Sequence, residues 1–280
     1  VTDKVRVGAS NNPDVVNVDV VSGATVTVMV VNEAIMRSAR KVAQVLGIAG
    51  LSEQAKVPPA TIKLDLFKKA SWTELTGDGS IRRLSLVEGD IDTAFEGTAA
   101  ATKGRHGEGR KQRPFIDMYY APLNIPTIGR NLLGDDQFKW LMGELGEGDQ
   151  AIAVMGSGQY SFKGNGYVRG GIFDRTQLQQ SDKVISFHDT DYYRLDDVYI
   201  DGFPGFKEMA IFIVRNQYDF DPGTPWQIEL LVRRQVGALD SVFTSFHGDY
   251  LTLEQYIDRP APVVEPEPEA LWISIWKDKA

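Results

Sequence analysis

Apolar and polar residues alternate along "VVNVDVV", residues 15–21, and a period of two predicts a strand there. The period then changes across Asp19-Val20-Val21-Ser22-Gly23-Ala24-Thr25. Beyond it, Val28, Val31, Ile35, Ala39, Val42 and Leu46 recur at spacings of three and four, which predicts a helix over 25–46. Arg37, Arg40 and Lys41 fall in its C-terminal half, where cations complement the helix dipole, and Gly47 suits the position just past its end. The earlier "TDKVRVG" alternates like a strand, or else ends a helix.

Residues 48–60 read as a connector, with a subdomain boundary at Pro58 and Pro59, because a residue before proline avoids helical geometry. "ATIKLDLF" alternates and predicts a strand over 60–67. Ser71 and Glu74 have capping-box spacing and predict a short helix. A turn at Gly77-Asp78-Gly79 leads to a strand at "SIRRLSLV". "FIDMYYAPLNIPTIGRNLLG" has a strand-like start and two prolines. "GDDQFKWLMGEL" predicts a helix with Asp135 and Asp136 near its start and Phe138, Leu141 and Leu145 on one face. "QAIAVMG" predicts a strand. The glycines of "GSGQYSFKGNGYVRGG" stand among Tyr, Phe and Val and fit hairpins and bulges, not a nucleotide-binding loop that opens a helix. Short aromatic strands continue to residue 258 and predict an antiparallel, β-rich domain. "RPAPVVEPEPEA" reads as an extended linker. After it, Trp272 and Trp276 with nearby lysines suit a membrane interface, or else pack on the domain.

Composition narrows the chemistry. The 280 residues suit one large or two smaller domains, and 42% hydrophobic content is enough for a sizeable core. A net charge of −8 argues against general nucleic-acid binding. With no cysteine, disulfides, thiolate metal sites and cysteine nucleophiles are excluded. No apolar run approaches the roughly 20 residues of a membrane-spanning helix.

The candidate site is the strand-to-helix stretch. Thr25 can take the phosphate of FMN as a phosphodiester when a transferase supplies the activated flavin nucleotide. Gly23 and Ala24 leave the backbone accessible, Ser22 can cap the helix, and a helix start favours a phosphate. Asp19 can hold a cation or a polar group of the modifying enzyme. The plainer reading is an ordinary capped turn. Elsewhere, residues 97–114 form a Gly-rich basic loop carrying Lys103, Arg105, Arg110, Lys111 and Arg113 besides His106. It is either a solvated loop or a docking patch for an acidic partner or lipid headgroups. His106, His188 and His247 have no metal-ligand spacing. Asp189, Asp191, Asp196, Asp197 and Asp201 read as solvated turns. No catalytic residue or metal ligand is marked.

Asp-x-x-Ser-Gly-Ala-Thr resembles the flavinylation motif of FMN-binding domains, whose last Thr carries FMN. The longer run "DVVSGATVTVMVVNEAIMRSARKVAQVLG", with "LNIPTIGRNLLG", "AIAVMGSGQYSFKGNGYVRGGIFDR", "DYYRLDD", "EMAIFIVR" and "ELLVRRQVGALDSVFTSF", resembles the NosR/NirI family. These are membrane-anchored flavoproteins of denitrifying bacteria, required for expression and activity of nitrous oxide reductase. The resemblance implies an α+β chain: a partial FMN-binding domain (strand plus long helix) over 1–57, a β-rich companion domain over 58–258, and a juxtamembrane linker over 259–280. It implies covalent FMN on Thr25, with Ser22, Gly23, Ala24 and Asp19 completing the motif. It also implies a periplasmic location tethered to the inner membrane through helices further downstream.

Expected partners are a flavin transferase and nitrous oxide reductase or its maturation factors, with no nucleic acid. The family's strand-rich half before the motif, its transmembrane helices and its iron–sulfur clusters are not in this sequence, so a piece of a larger protein is expected. The function expected is that of an electron-transfer segment supporting the reductase, not a stand-alone enzyme. The alternative is a non-redox assembly or regulatory module that docks the reductase or its maturation factors.

Overall fold

The structure, a computed structural model, describes residues 4–7, 15–18, 31, 35–36, 38–39, 42, 58–164, 171–181, 183–238 and 240–260. Lys4–Val7 (β1) and Val15–Val18 (β2) are strands, as their alternation predicts, and pair in parallel from Lys4↔Val15 to Val7↔Val18. Val31, Ile35, Met36, Ser38, Ala39 and Val42 are helical. Val31, Ile35 and Val42 are 48%, 60% and 57% exposed, so the apolar stripe faces solvent at these three positions. The motif at 19–25 lies between β2 and these helical positions, outside the described residues.

From residue 58 the chain is an α+β structure with a β-rich majority. Its strands are Thr61–Ile62 (β3), Arg82–Val87 (β4), Pro114–Pro122 (β5), Gln150–Gly158 (β6), Ile172–Gln180 (β7), Lys183–His188 (β8), Tyr192–Arg194 (β9), Glu208–Val214 (β10), Trp226–Gln235 (β11), Ser241–Tyr250 (β12) and Ile257–Asp258 (β13). Its helices are Trp72–Gly77 (α1), Glu88–Ala94 (α2) and Pro126–Glu144 (α3). Three antiparallel sheets result, in the orders β4-β5-β6-β10-β9, β12-β11-β7-β8 and β13-β3.

Alternation along β6 shows how the layers form. Ile152 and Val154 enter a core shared with Phe212 of β10, Leu178 of β7 and Ile228 and Leu230 of β11, between the two larger sheets. Ala151, Ala153 and Met155 point the other way, towards Ile128, Leu132, Leu133 and Leu141 of α3 and Trp72 and Leu75 of α1. The five-stranded sheet is therefore covered on both faces, which is why "AIAVM" is an unbroken apolar run. Each fully buried Leu, Ile or Phe in such a core contributes about 1.5–3 kcal/mol. Phe187 stacks on Phe212 at 4.2 Å and ties the two sheets together.

Local chemistry explains most boundaries. Ser71 Oγ accepts from the Glu74 amide while Glu74 accepts from the Ser71 amide, so the predicted capping box is formed. The helix predicted at "GDDQFKWLMGEL" begins earlier, at Pro126. Proline at a first helical position starts a helix, since no amide partner is needed there. Gly134, at φ 73°, breaks α3 midway, a conformation that a side chain resists. The strand predicted over "ATIKLDLF" is confined to Thr61–Ile62. After it the backbone finds partners on α3 instead of a strand edge: Thr127 Oγ1 accepts from the Lys68 amide at 3.1 Å and donates to the Leu66 carbonyl at 3.2 Å. Asn131 does the same, accepting from the Ala70 amide at 3.2 Å and donating to the Lys68 carbonyl at 2.8 Å.

Candidate functional site

The densest group of charged side chains among the described residues gathers on α2. Glu88 and Asp92 are one turn apart, and both are buried. An unpaired carboxylate so placed costs several kcal/mol, so partners are required. Arg110 Nη2 donates to Glu88 Oε1 at 2.8 Å, and Gln159 Nε2 donates to the same oxygen at 2.5 Å. Arg234, from the end of β11, donates to Asp92 Oδ1 while its guanidinium lies 4.6 Å from the Phe95 ring centre. His106 lies between the two acids: its amide donates to Asp92 Oδ2 at 3.1 Å, its Nδ1 is 3.1 Å from Asp92 Oδ1, and its Nε2 is 3.8 Å from Glu88 Oε2. The hydrogen bond from Arg110 holds the Glu88 carboxyl below its ordinary range against the opposing effect of burial. Burial pushes Asp92 up, but Arg234 and the His106 amide outweigh it and hold this carboxyl low as well.

This cluster fixes how the basic loop is held. His106 and Arg110 are anchored to buried acids, and Lys111 pairs with Glu108 at 2.8 Å. The loop is thus fastened rather than loosely solvated. Lys103, Arg105 and Arg113 remain exposed on it and form no ion pair among the described residues. The five-cation patch expected from the sequence is reduced to these three.

A second polar group lies on the face of the four-stranded sheet turned away from the core. Gln177, Glu229 and His247 stand side by side on β7, β11 and β12. Glu229 is fully buried, and its Oε2 accepts from Gln177 Nε2 at 2.5 Å and Gln179 Nε2 at 2.6 Å, with His247 Nε2 3.4 Å from Oε1. Next to it, at the end of the sheet, opens a cleft of about 450 Å³ lined by Arg82, Gln179, Gln227 and Asp249, where Trp226 and Tyr250 stack on each other with their rings buried in the core.

The remaining candidates are structural. Arg215 joins Asp149 at 2.8 Å to Asp191 at 2.6 Å, Asp196 pairs with Arg194, and Asp201 lies 3.9 Å from Lys69. His188 ends β8 beside a turn, 3.4 Å from the Tyr218 hydroxyl. Among the described residues no three His, Asp or Glu side chains are grouped to hold a metal ion. No helix among them is long and apolar enough to cross a membrane.

None of Asp19, Ser22, Gly23, Ala24 and Thr25 lies within the described residues. Sequence reasoning missed Glu88, Asp92, Arg234 and Glu229. Two signals were available: acids four apart in a short helical stretch, and glutamines alternating through "TQLQQ", a strand that also carries Leu178 in the core.

The regulatory protein NosR of Stutzerimonas stutzeri is 50% identical over 286 aligned positions, which include the whole of this chain. That of Pseudomonas aeruginosa is 50% identical over 283 positions and 99% of the chain. This chain belongs to the NosR/NirI family. The protein NirI of Paracoccus denitrificans is 29% identical over 266 positions, 93% of the chain. The chain spans 40% of the length of the two NosR proteins and 36% of NirI. No family model and no solved structure matches it.

Proposed function

We propose that this NosR/NirI family segment carries FMN covalently on Thr25 and serves expression, maturation or activation of nitrous oxide reductase from the periplasmic side of the inner membrane. The observation that carries the reading is the place of Asp19-x-x-Ser22-Gly23-Ala24-Thr25 in the sequence, directly after β2 and before the helical residues Val31, Ile35, Met36, Ser38, Ala39 and Val42. A strand followed by a helix start fits a phosphate-bearing threonine, because first-turn amides and the helix dipole favour an anion. The names of the NosR relatives support the regulatory role. FMN, when bound, supplies the redox chemistry. The chain's own contribution is the Thr25 hydroxyl as tether, Ser22 as cap, Gly23 and Ala24 as an unobstructed approach, and Asp19 as a contact for the flavin transferase.

Intact mass after co-expression with a flavin transferase tests this. The wild type gains one FMN phosphodiester and Thr25→Val gains none. A bare wild type made under those conditions overturns the reading.

One observation favours a second reading, a non-redox docking module. The loop over 97–113 is fastened by Glu88 and Asp92 and holds Lys103, Arg105 and Arg113 outward. A rigid cationic loop on an acidic protein steers an acidic partner. Neutralising the three cations should then weaken capture of nitrous oxide reductase, and unchanged capture removes the loop from that role.

A further inference from the structure

The segment over 64–69, "LDLFKK", is exposed at all six positions. Leu64 is 70% exposed, Phe67 39% and Leu66 37%. A flexible loop would turn such side chains inward. This one is held, because Thr127 and Asn131, both buried on α3, bind its backbone through three hydrogen bonds and that of Ala70, the next residue, through a fourth. The Arg130 guanidinium lies over one face of the Phe67 ring, 3.8 Å from its centre, and steadies the side chain while leaving it 39% exposed. Tyr199, 60% exposed, continues the surface: its amide donates to the Leu132 carbonyl of the same helix at 2.9 Å. Scattered exposed apolar residues need no explanation, but a fastened run of them marks a contact surface.

We propose that this loop rests on a phospholipid bilayer, with Leu64, Leu66 and Phe67 entering the headgroup–acyl boundary and lysines meeting anionic headgroups. Three observations select a membrane over a polypeptide. First, lysines flank the apolar side chains on both sides, at Lys63, Lys68 and Lys69. Lys68 has no ion pair among the described residues. The Lys69–Asp201 contact, at 3.9 Å between side chains 81% and 75% exposed, is too weak to occupy Lys69. Lys63 pairs with Asp258, and Asp65 is the one acid within the loop itself. Second, an exposed tyrosine beside them is favoured at a membrane interface. Third, the loop springs from β3, whose partner β13 leads the chain out at Pro260. That exit leads to Trp272, Trp276, Lys277 and Lys279, the residue types enriched at the same interface. The proposal does not depend on flavin attachment.

The test uses the full chain. It lacks cysteine, so Leu64→Cys and Arg105→Cys each give one site for a polarity-sensitive dye. Vesicles of phosphatidylcholine with phosphatidylglycerol should blue-shift the dye at 64 and leave the dye at 105 unchanged. In co-sedimentation, Leu64→Ser/Leu66→Ser/Phe67→Ser should lower vesicle binding roughly tenfold or more. Lys68→Gln/Lys69→Gln should lower it about fivefold per lysine on anionic vesicles, and less on pure phosphatidylcholine. Circular dichroism of both variants should match the wild type. The proposal is overturned if wild type does not sediment with vesicles, as for a surface that takes a protein partner. It is also overturned if the triple variant binds equally, or if the dye at 64 is already blue-shifted without lipid, as when residues 261–280 cover the loop.

Discussion

Arg234 and Asp92, 142 positions apart in sequence, form an ion pair with only 7% and 6% of their side chains exposed. The pair joins the end of β11 to α2 and so closes one end of the space between the two larger sheets. Removing one partner leaves the other charge buried and uncompensated. Asp92→Ala should cost about 3–5 kcal/mol, read as a lower midpoint in denaturant unfolding. A loss below about 1 kcal/mol would show that water reaches Arg234.

The same cluster sets an acid limit. Glu88, Asp92 and Asp149 all have carboxyls held below their ordinary values of 4.5, 3.8 and 3.8. A depressed folded-state value means that the stabilisation is complete above the ordinary value and is lost as pH falls through the lower one. Stability should therefore be flat from neutral pH to about 5 and fall steeply below about 4. The loop over 97–113 should open first, since its anchors are two of these carboxylates. Amide hydrogen exchange over 97–113 at each pH, corrected for the intrinsic pH dependence of exchange and followed by mass spectrometry, reads this directly.

Gly129 offers a test of packing. A Cβ there would stand 2.2 Å from the Leu123 carbonyl oxygen and 2.6 Å from the Phe138 ring. The carbonyl is backbone in the turn that leads into α3 and cannot swing aside, so the first half of α3 would have to shift against that turn and against Phe138 of its own second half. Gly129→Ala should cost about 3 kcal/mol despite alanine's better helix propensity. Gly143→Ala in the same helix meets nothing within 4 Å and should be neutral or stabilising.

Much of this was legible in the sequence because the deciding interactions are local. The capping box at Ser71 and Glu74 is three residues long, and β6 is announced by its own apolar run. Failures came where a distant partner decides. Nothing within "KLDLFKK" reveals that Thr127 and Asn131 would take its backbone, nor does "GRHGEGR" reveal acids waiting at 88 and 92. The start of α3 is hidden differently: no capping side chain stands before it, and the proline at 126 alone does not announce the helix that it begins. The motif at 19–25 was legible as a motif alone, and the chemistry proposed for it rests on Thr25.

Thr127 and Asn131 can be probed separately from the lipid contact. Asn131→Ala removes one acceptor and one donor from the loop backbone and should cost about 1–3 kcal/mol. It should also speed tryptic cleavage after Lys68 and Lys69 several-fold while the sheets stay folded. Equal cleavage of wild type and variant would show that Arg130 and Phe67 suffice to hold the segment.

The way that segment is tied down has a consequence for solubility. A strand carrying Leu64, Leu66 and Phe67 at a sheet margin would offer neighbouring molecules a row of open amides and carbonyls, and chains could add end to end. Here several of those groups are consumed by two side chains of a helix, which no second molecule can imitate. The segment keeps an oily fingertip while the backbone groups at Leu66 and Lys68 are withheld from any fibre.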